Sequence, residues 1–440
     1  AVAIFCGESE RAEAFQFDTP PDWQVRWDNR VSYMIGVRAH NVDDRIGNNP
    51  MLSESDYKFS DAGDIVTNKI SNLTEFDVVY QDRMGFRASA SMFKDFAYGS
   101  DRVKDNPDLV SAGASSGSYS SGRYGGYAKR NYVEGFRLLD AFAFTNFDLF
   151  DKPSSLRLGR TTQYWGNALF FGSQGINYGQ NAADGIKGLS SPGTLAKELT
   201  VPRTQILFET ALSPSVSIAA QYFGEYQTDY LTTGGTYLGG YGPLYQGPDS
   251  MFGTPRGHDY KPSRWGFKSD YGLKLSWHPQ FVDGSFGFFL RQFTETKPWA
   301  PIMGSSDYHM SYADKVKLLG VSYETSIGPY STGFELSYRK DTALLSSSTP
   351  SVSDPQGREG ARGDTLHFLA NTQVSLDKTA FYDTGFAQAE IAYTRLLKKT
   401  KNAQMYFGED NSATCPAGTK WAGCATDDSV SVALYVAPQW

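Results

Sequence analysis

Trp23-Gln24-Val25-Arg26-Trp27-Asp28-Asn29-Arg30-Val31-Ser32-Tyr33 alternates residue by residue. Trp23, Val25, Trp27, Val31 and Tyr33 share one parity, interrupted by Asn29, while Gln24, Arg26, Asp28, Arg30 and Ser32 share the other. An extended strand sends successive side chains to opposite faces, so this stretch has one apolar wall and one wet wall. In a soluble sandwich the apolar wall would be the core. In an outer-membrane barrel it meets lipid, and the charged wall lines the lumen.

The same alternation recurs along the chain. Phe76, Val78 and Tyr80 oppose Glu75, Asp77 and Gln81; Ile206, Phe208 and Leu212 oppose Arg203, Gln205 and Glu209. Phe267, Tyr271, Leu273, Leu275 and Trp277 oppose Lys268, Asp270 and Lys274, and Phe334, Leu336 and Tyr338 oppose Glu335 and Arg339. Val133–Leu149 is apolar on both parities and has no readable orientation. About fourteen such segments are present. Short turns at Asp82, Asp283-Gly284, Gly328-Pro329 and Asp383-Thr384 alternate with long polar stretches, among them 98–131, 231–263 and 399–428. Short turns on one side and long loops on the other suit an antiparallel outer-membrane β-barrel, of about sixteen to eighteen strands when complete. Closure also removes the edge strands that a sheet this large would otherwise expose.

Composition narrows the function. The net charge of −7 and the lack of a basic stripe argue against nucleic-acid binding. No run of 18 apolar residues exists, so no transmembrane helix is expected. Residues 1–14 read as a residual signal peptide, because Ala12-Glu13-Ala14 has the small-x-small pattern of a cleavage site. Residues 15–440 then form one barrel domain. Cys415 and Cys424 flank a loop containing Pro416 and are expected to form a disulfide in an oxidising compartment. No metal or cofactor site is expected. The expected partners are outer-membrane lipid or lipopolysaccharide, the barrel assembly machinery and a small solute.

Between two strand-like pairs lies the insert 166–200, which matches neither a strand nor a long helix. A loop this long is usually functional. Leu169, Phe170, Phe171 and Ile176 are too apolar for free solvation, and Gly172, Gly175, Gly179, Gly185 and Gly188 permit sharp reversals. Two placements stay open: a constriction within the lumen, or a lid packed on other loops. In the first, Phe170, Phe171 and Tyr178 form an apolar gate, and Trp165, Arg157, Arg203 and Glu209 belong to the constriction and solute path. Those charges fit equally a hydrated interior balanced by ion pairs.

Catalytic readings are weak. His309-Met310-Ser311 has the His-x-Ser spacing of an outer-membrane lipid hydrolase but lies in a long loop. Asp43-Asp44 and Asp427-Asp428 have no accompanying histidine. No catalytic residue is expected.

Leu156-Arg157-Leu158-Gly159-Arg160, followed by Tyr164-Trp165-Gly166, resembles the core motif of the domain-of-unknown-function 1302 family. Gly175-Ile176-Asn177, Gln221-Tyr222-Phe223 and Gly242-Pro243 are similar in the same order. The chain departs from the family pattern at Tyr178-Gly179-Gln180-Asn181 and in the Ser/Gly-rich stretch 111–127. The resemblance implies a Gram-negative outer-membrane protein with further strands beyond Trp440. With the alternation it implies a channel for passive, selective uptake of small, hydrophobic or aromatic molecules. The alternative is a surface binding or adhesion barrel acting through its long loops.

Overall fold

The structure is a computed structural model. It describes the chain apart from residues 1, 8–14, 48–56, 105, 108–118, 120, 192–193, 240–248, 252–253, 267–269, 300–301, 305, 350–353 and 416–422. The candidate cleavage site Ala12–Ala14, Pro192, Gly242-Pro243, Phe267, Lys268, Pro416 and most of the Ser/Gly-rich stretch lie outside the described residues.

Fifteen strands pair in chain order. They are β1 (Val2–Gly7), β2 (Trp23–Arg38), β3 (Ile65–Tyr80), β4 (Met84–Asp95), β5 (Glu134–Leu149), β6 (Lys152–Thr161), β7 (Arg203–Ser213), β8 (Val216–Phe223), β9 (Tyr271–Trp277), β10 (Ser285–Phe293), β11 (Val316–Ile327), β12 (Tyr330–Ala343), β13 (Arg362–Leu376), β14 (Thr384–Lys401) and β15 (Asp428–Gln439). Each is antiparallel to its neighbours, and Phe15–Gln16 adds a short sixteenth strand beside β2. Residues 2–7, read in the sequence as part of an export signal, form β1 along Tyr33–Arg38.

The two faces follow the parity of the sequence. Leu273, Leu319 and Leu434 point outward and are 51%, 59% and 74% exposed. Gly272 and Leu318, the inward neighbours of Leu273 and Leu319, are buried, as is the inward Glu335 of β12. Outward apolar residues cover no core of this chain, so their burial requires another apolar medium. Aromatic rings cluster close to the short turns: Trp23 on Tyr80 at 4.8 Å, Trp277 against Phe281 and Phe286 at 5.8 Å, and Phe286 stacked on Tyr323 at 4.7 Å. Side chains that are apolar at one end and polar at the other collect where lipid meets water.

A β-bulge explains the unreadable strand. In β5, Ala88 faces Ala141 whereas Ala90 faces Leu138, so Leu139 and Asp140 together oppose Ser89. The extra residue reverses the parity. Phe136 and Leu138 point outward before it, and Phe142, of the same parity, is buried after it. The Ser89 hydroxyl caps the irregularity by accepting the Asp140 N–H at 3.0 Å.

Pairing also outruns the apolar band. β14 continues through Arg395–Lys401 alongside β13, although the sequence pattern stops near Tyr393. Ladder hydrogen bonds use only the backbone, so charged residues extend the strand once it leaves the apolar zone.

Candidate functional site

The insert crosses the concave side of the curved sheet. It leaves β6 through Trp165 and Gly166. Gly166 has φ +91°, and a Cβ there would lie 2.5 Å from Glu335 Oε1, so only glycine fits the turn. The chain then meets two carboxylates on the far wall. Glu335 of β12 accepts the N–H groups of Asn167, Ala168 (3.1 Å) and Ile176 (2.6 Å). Glu390 of β14 accepts those of Leu169 (2.6 Å), Phe170 (3.0 Å) and Phe171 (2.5 Å). Asn371 of β13 donates to the Asn167 carbonyl at 2.6 Å.

Guanidinium groups hold the carbonyls of the returning segment. Arg339 donates to Ser173 and Gly175 at 2.7 and 2.9 Å, and Arg291 to Ile176 and Tyr178 at 2.6 and 2.8 Å. Gly179, with φ +66°, passes so close to Phe293 that a Cβ would stand 2.3 Å from the ring. Wall charges therefore satisfy the backbone groups that an irregular buried segment cannot pair internally.

The second half of the insert crosses to the opposite wall. It contains the short helices Gly185–Ser190 and Ala196–Leu199. Arg137 of β5 pairs with Asp184, which caps the first helix by accepting the Lys187 N–H at 3.0 Å. Lys187 and Glu198 pair at 2.9 Å, and both bond Ser91 of β4 at 3.0 Å. Lys197 pairs with Glu75 of β3. One insert thus joins β3, β4 and β5 to β10, β12, β13 and β14, so the sheet curls around it.

The residues singled out from the sequence separate into three groups. Trp165 and Arg203 are 1% and 0% exposed and structural in position. Trp165 packs on Phe289 beside Ile176, Phe293 and Leu318, and Arg203 forms a fully buried ion pair with Asp270 at 2.7 Å. Tyr178 is fixed, its hydroxyl donating to Glu295 and its ring lying 4.1 Å from the Arg339 guanidinium. Phe170 and Phe171 border open space, with Phe170 6.5 Å from Tyr435 of β15. Arg157 and Glu209 line two separate cavities nearer the short turns, of about 610 and 390 Å³. Arg26, Asp77 and Arg87 share the first cavity, and Lys274 and Ser217 the second.

The sequence reading singled out none of Arg291, Asn371 and Glu295 as site residues, with Asn371 read only as one wet-face residue among many. Arg291 and Asn371 alternate inward as wet-face residues do, but nothing local marks them as partners of a segment more than a hundred residues away. At the long-loop end, Asp229 accepts the Ala183 N–H at 2.9 Å, and burial pushes its carboxyl above the usual range.

The loop readings also resolve. His309 Nε2 and the Ser311 hydroxyl both meet the Gly357 carbonyl, at 2.9 and 3.0 Å, and both residues are buried. The hydroxyl is not presented to the imidazole as a nucleophile would be. Tyr98, Tyr119, Tyr124, Tyr132 and Tyr237 bury their rings against one another and Phe59. A disulfide joins Cys415 and Cys424, with Cα atoms 6.1 Å apart.

A single large antiparallel sheet, apolar outside and charged inside, wrapped around its own insert, defines an all-β class of protein. The chain belongs to the family described as protein of unknown function (DUF1302), whose model matches residues 1–440. No curated protein matches the chain. Among solved structures, it is similar to Salmonella typhi OmpF in complex with daunomycin, at 10% identity and a TM-score of 0.34, over 85% of this chain and 79% of that one. It is also similar to OmpT, an outer membrane protein of Vibrio cholerae, at 8% identity and a TM-score of 0.27, over 92% of each chain.

Proposed function

We propose that this protein is an outer-membrane β-barrel channel for selective, passive passage of small hydrophobic or aromatic solutes, with the insert as its constriction. The observation that carries this reading is the stapling of residues 167–176 to Glu335, Glu390 and Arg339 on one wall, with Lys187, Lys197 and Glu198 docked on the other. A loop serving only as an outer lid has no need of inward charges halfway down the strands. The outward apolar face and the rings near the short turns support a bilayer setting. Lipid or lipopolysaccharide then covers the outer face, and the barrel assembly machinery inserts the chain. The reading is non-enzymatic and needs no cofactor.

The test is single-channel recording of the full chain in planar bilayers, with and without residues 167–187. The parent should give small, stable openings, and the deletion larger ones. A deletion variant that folds, inserts and conducts like the parent would remove the insert as constriction. A folded parent that never conducts would remove the channel.

A further inference from the structure

A cavity of about 160 Å³ lies between the inward faces of β2, β3 and β4 and the helical half of the insert. Its walls are largely apolar, with Met34, Val66, Phe93, Ile186, Leu189 and Leu195. Charged side chains also line it, and most are already engaged. Lys187 pairs with Glu198, and Asp95 accepts from the Thr67 hydroxyl at 2.6 Å and from the Asn68 and Ala97 N–H groups at 2.8 and 3.0 Å. Asp184, just beyond, pairs with Arg137. Arg30 adds another cation to the lining.

Lys69 stands apart. Its ammonium donates to the Ser191 hydroxyl and lies 5.9 Å from the Phe93 ring centre; among the described residues it makes no direct ion pair, and Asp95, Glu198 and Asp184 act on it only from beyond contact. An ammonium among apolar walls is costly unless a counter-charge completes its shell. A cavity of about 150 Å³ with apolar walls accommodates one benzene ring.

We propose that this cavity is a binding subsite for a compact aromatic monocarboxylate, its carboxylate on Lys69 Nζ and its ring against Phe93, Met34 and Ile186. The inference rests on the channel reading above, for which it supplies the substrate class. The fit is by size and charge: one ring fills the volume, and one negative charge answers one ammonium. A neutral ring leaves Lys69 without a carboxylate in contact, an aliphatic acid such as acetate leaves the apolar walls empty, and an aromatic amine repels Lys69.

Equilibrium dialysis of benzoate, acetate, benzyl alcohol and benzylammonium against the full chain in detergent tests this without requiring flux. Benzoate should bind saturably and the other three at least about tenfold more weakly, the scale of a lost charge-assisted contact. Lys69→Met should weaken benzoate by a similar factor, Lys69→Arg should retain it, and Lys94→Met, on the same sheet but paired with Glu134, should leave it unchanged. Equal binding by folded Lys69→Met, acetate binding as tightly as benzoate, or no saturable benzoate binding by the folded parent overturns the subsite. Benzoate binding without conductance keeps the subsite and sinks the channel, whereas conductance without benzoate binding sinks the subsite alone.

Discussion

Glu335 accepts the backbone N–H of Ile176 at 2.6 Å across 159 residues of sequence. The same carboxylate holds Asn167 and Ala168, so one side chain ties both limbs of the insert's first turn to β12. Glu390 does the same for three consecutive N–H groups.

Replacing Glu335 or Glu390 by Ala should therefore free the insert while leaving the sheet assembled. Each change orphans three N–H groups, at about 1–3 kcal/mol for each that stays buried. The expected readout is noisier, larger conductance together with protease cleavage between residues 166 and 180. Glu209→Ala, an exposed inward carboxylate away from the insert, should change neither. If all three variants behave alike, the staples do not hold the insert.

The Arg203–Asp270 pair has no exposed side-chain surface on either partner. Asp270→Asn alone should cost about 3–5 kcal/mol, because it strands a buried guanidinium. A double change, Arg203→Met with Asp270→Leu, should recover much of that loss. Urea unfolding from detergent measures both, and an equally damaged double variant would count against the ion-pair account.

Leu273 faces outward between Leu290 and Ala220. Leu273→Arg should destabilise by about 2–4 kcal/mol if this position lies near the bilayer midplane. The adjacent Lys274→Arg should be nearly neutral. Spin labels at 273 and 274 provide a second check, since equal access of both to a water-soluble quencher contradicts the facing.

Burial raises the Asp229 carboxyl above its unfolded value. A folded-state pKa above the unfolded one means that the folded protein holds the proton more tightly. The stabilisation from this group is then fully present below the unfolded pKa and is lost as pH rises through the folded pKa. Asp229→Asn, which keeps an acceptor for the Ala183 N–H, should lessen the fall in thermal stability from mildly acidic to neutral pH. An unchanged pH profile would argue that Asp229 ionises freely.

Much of the wall was legible in the sequence because strand alternation is local. The parity of Trp23–Tyr33 or of Tyr271–Trp277 needs only neighbouring residues, and most outward side chains (Trp23, Trp27, Val31, Tyr33, Tyr271, Leu273 and Leu275) are exposed in the structure, with Val25 and Trp277 half-buried. The pattern failed at β5, where the bulge at Leu139-Asp140 shifts phase, and in Arg395–Lys401, where backbone pairing continues without apolar residues to mark it. The aromatic insert was equally legible as something other than strand or helix.

Its partners were decided only by the tertiary structure. Glu335, Glu390, Arg291 and Arg339 look in sequence like any wet-face charge. They become staples because curvature brings strands far apart in sequence within hydrogen-bonding reach of one irregular segment. Arg203 and Trp165 likewise carry the residue types expected of a solute path, yet packing buries both completely. Parity determines which face a side chain takes. Only the curl of the whole sheet determines whether that face meets water, another strand's charge or the insert, because those contacts depend on distances that no local spacing contains.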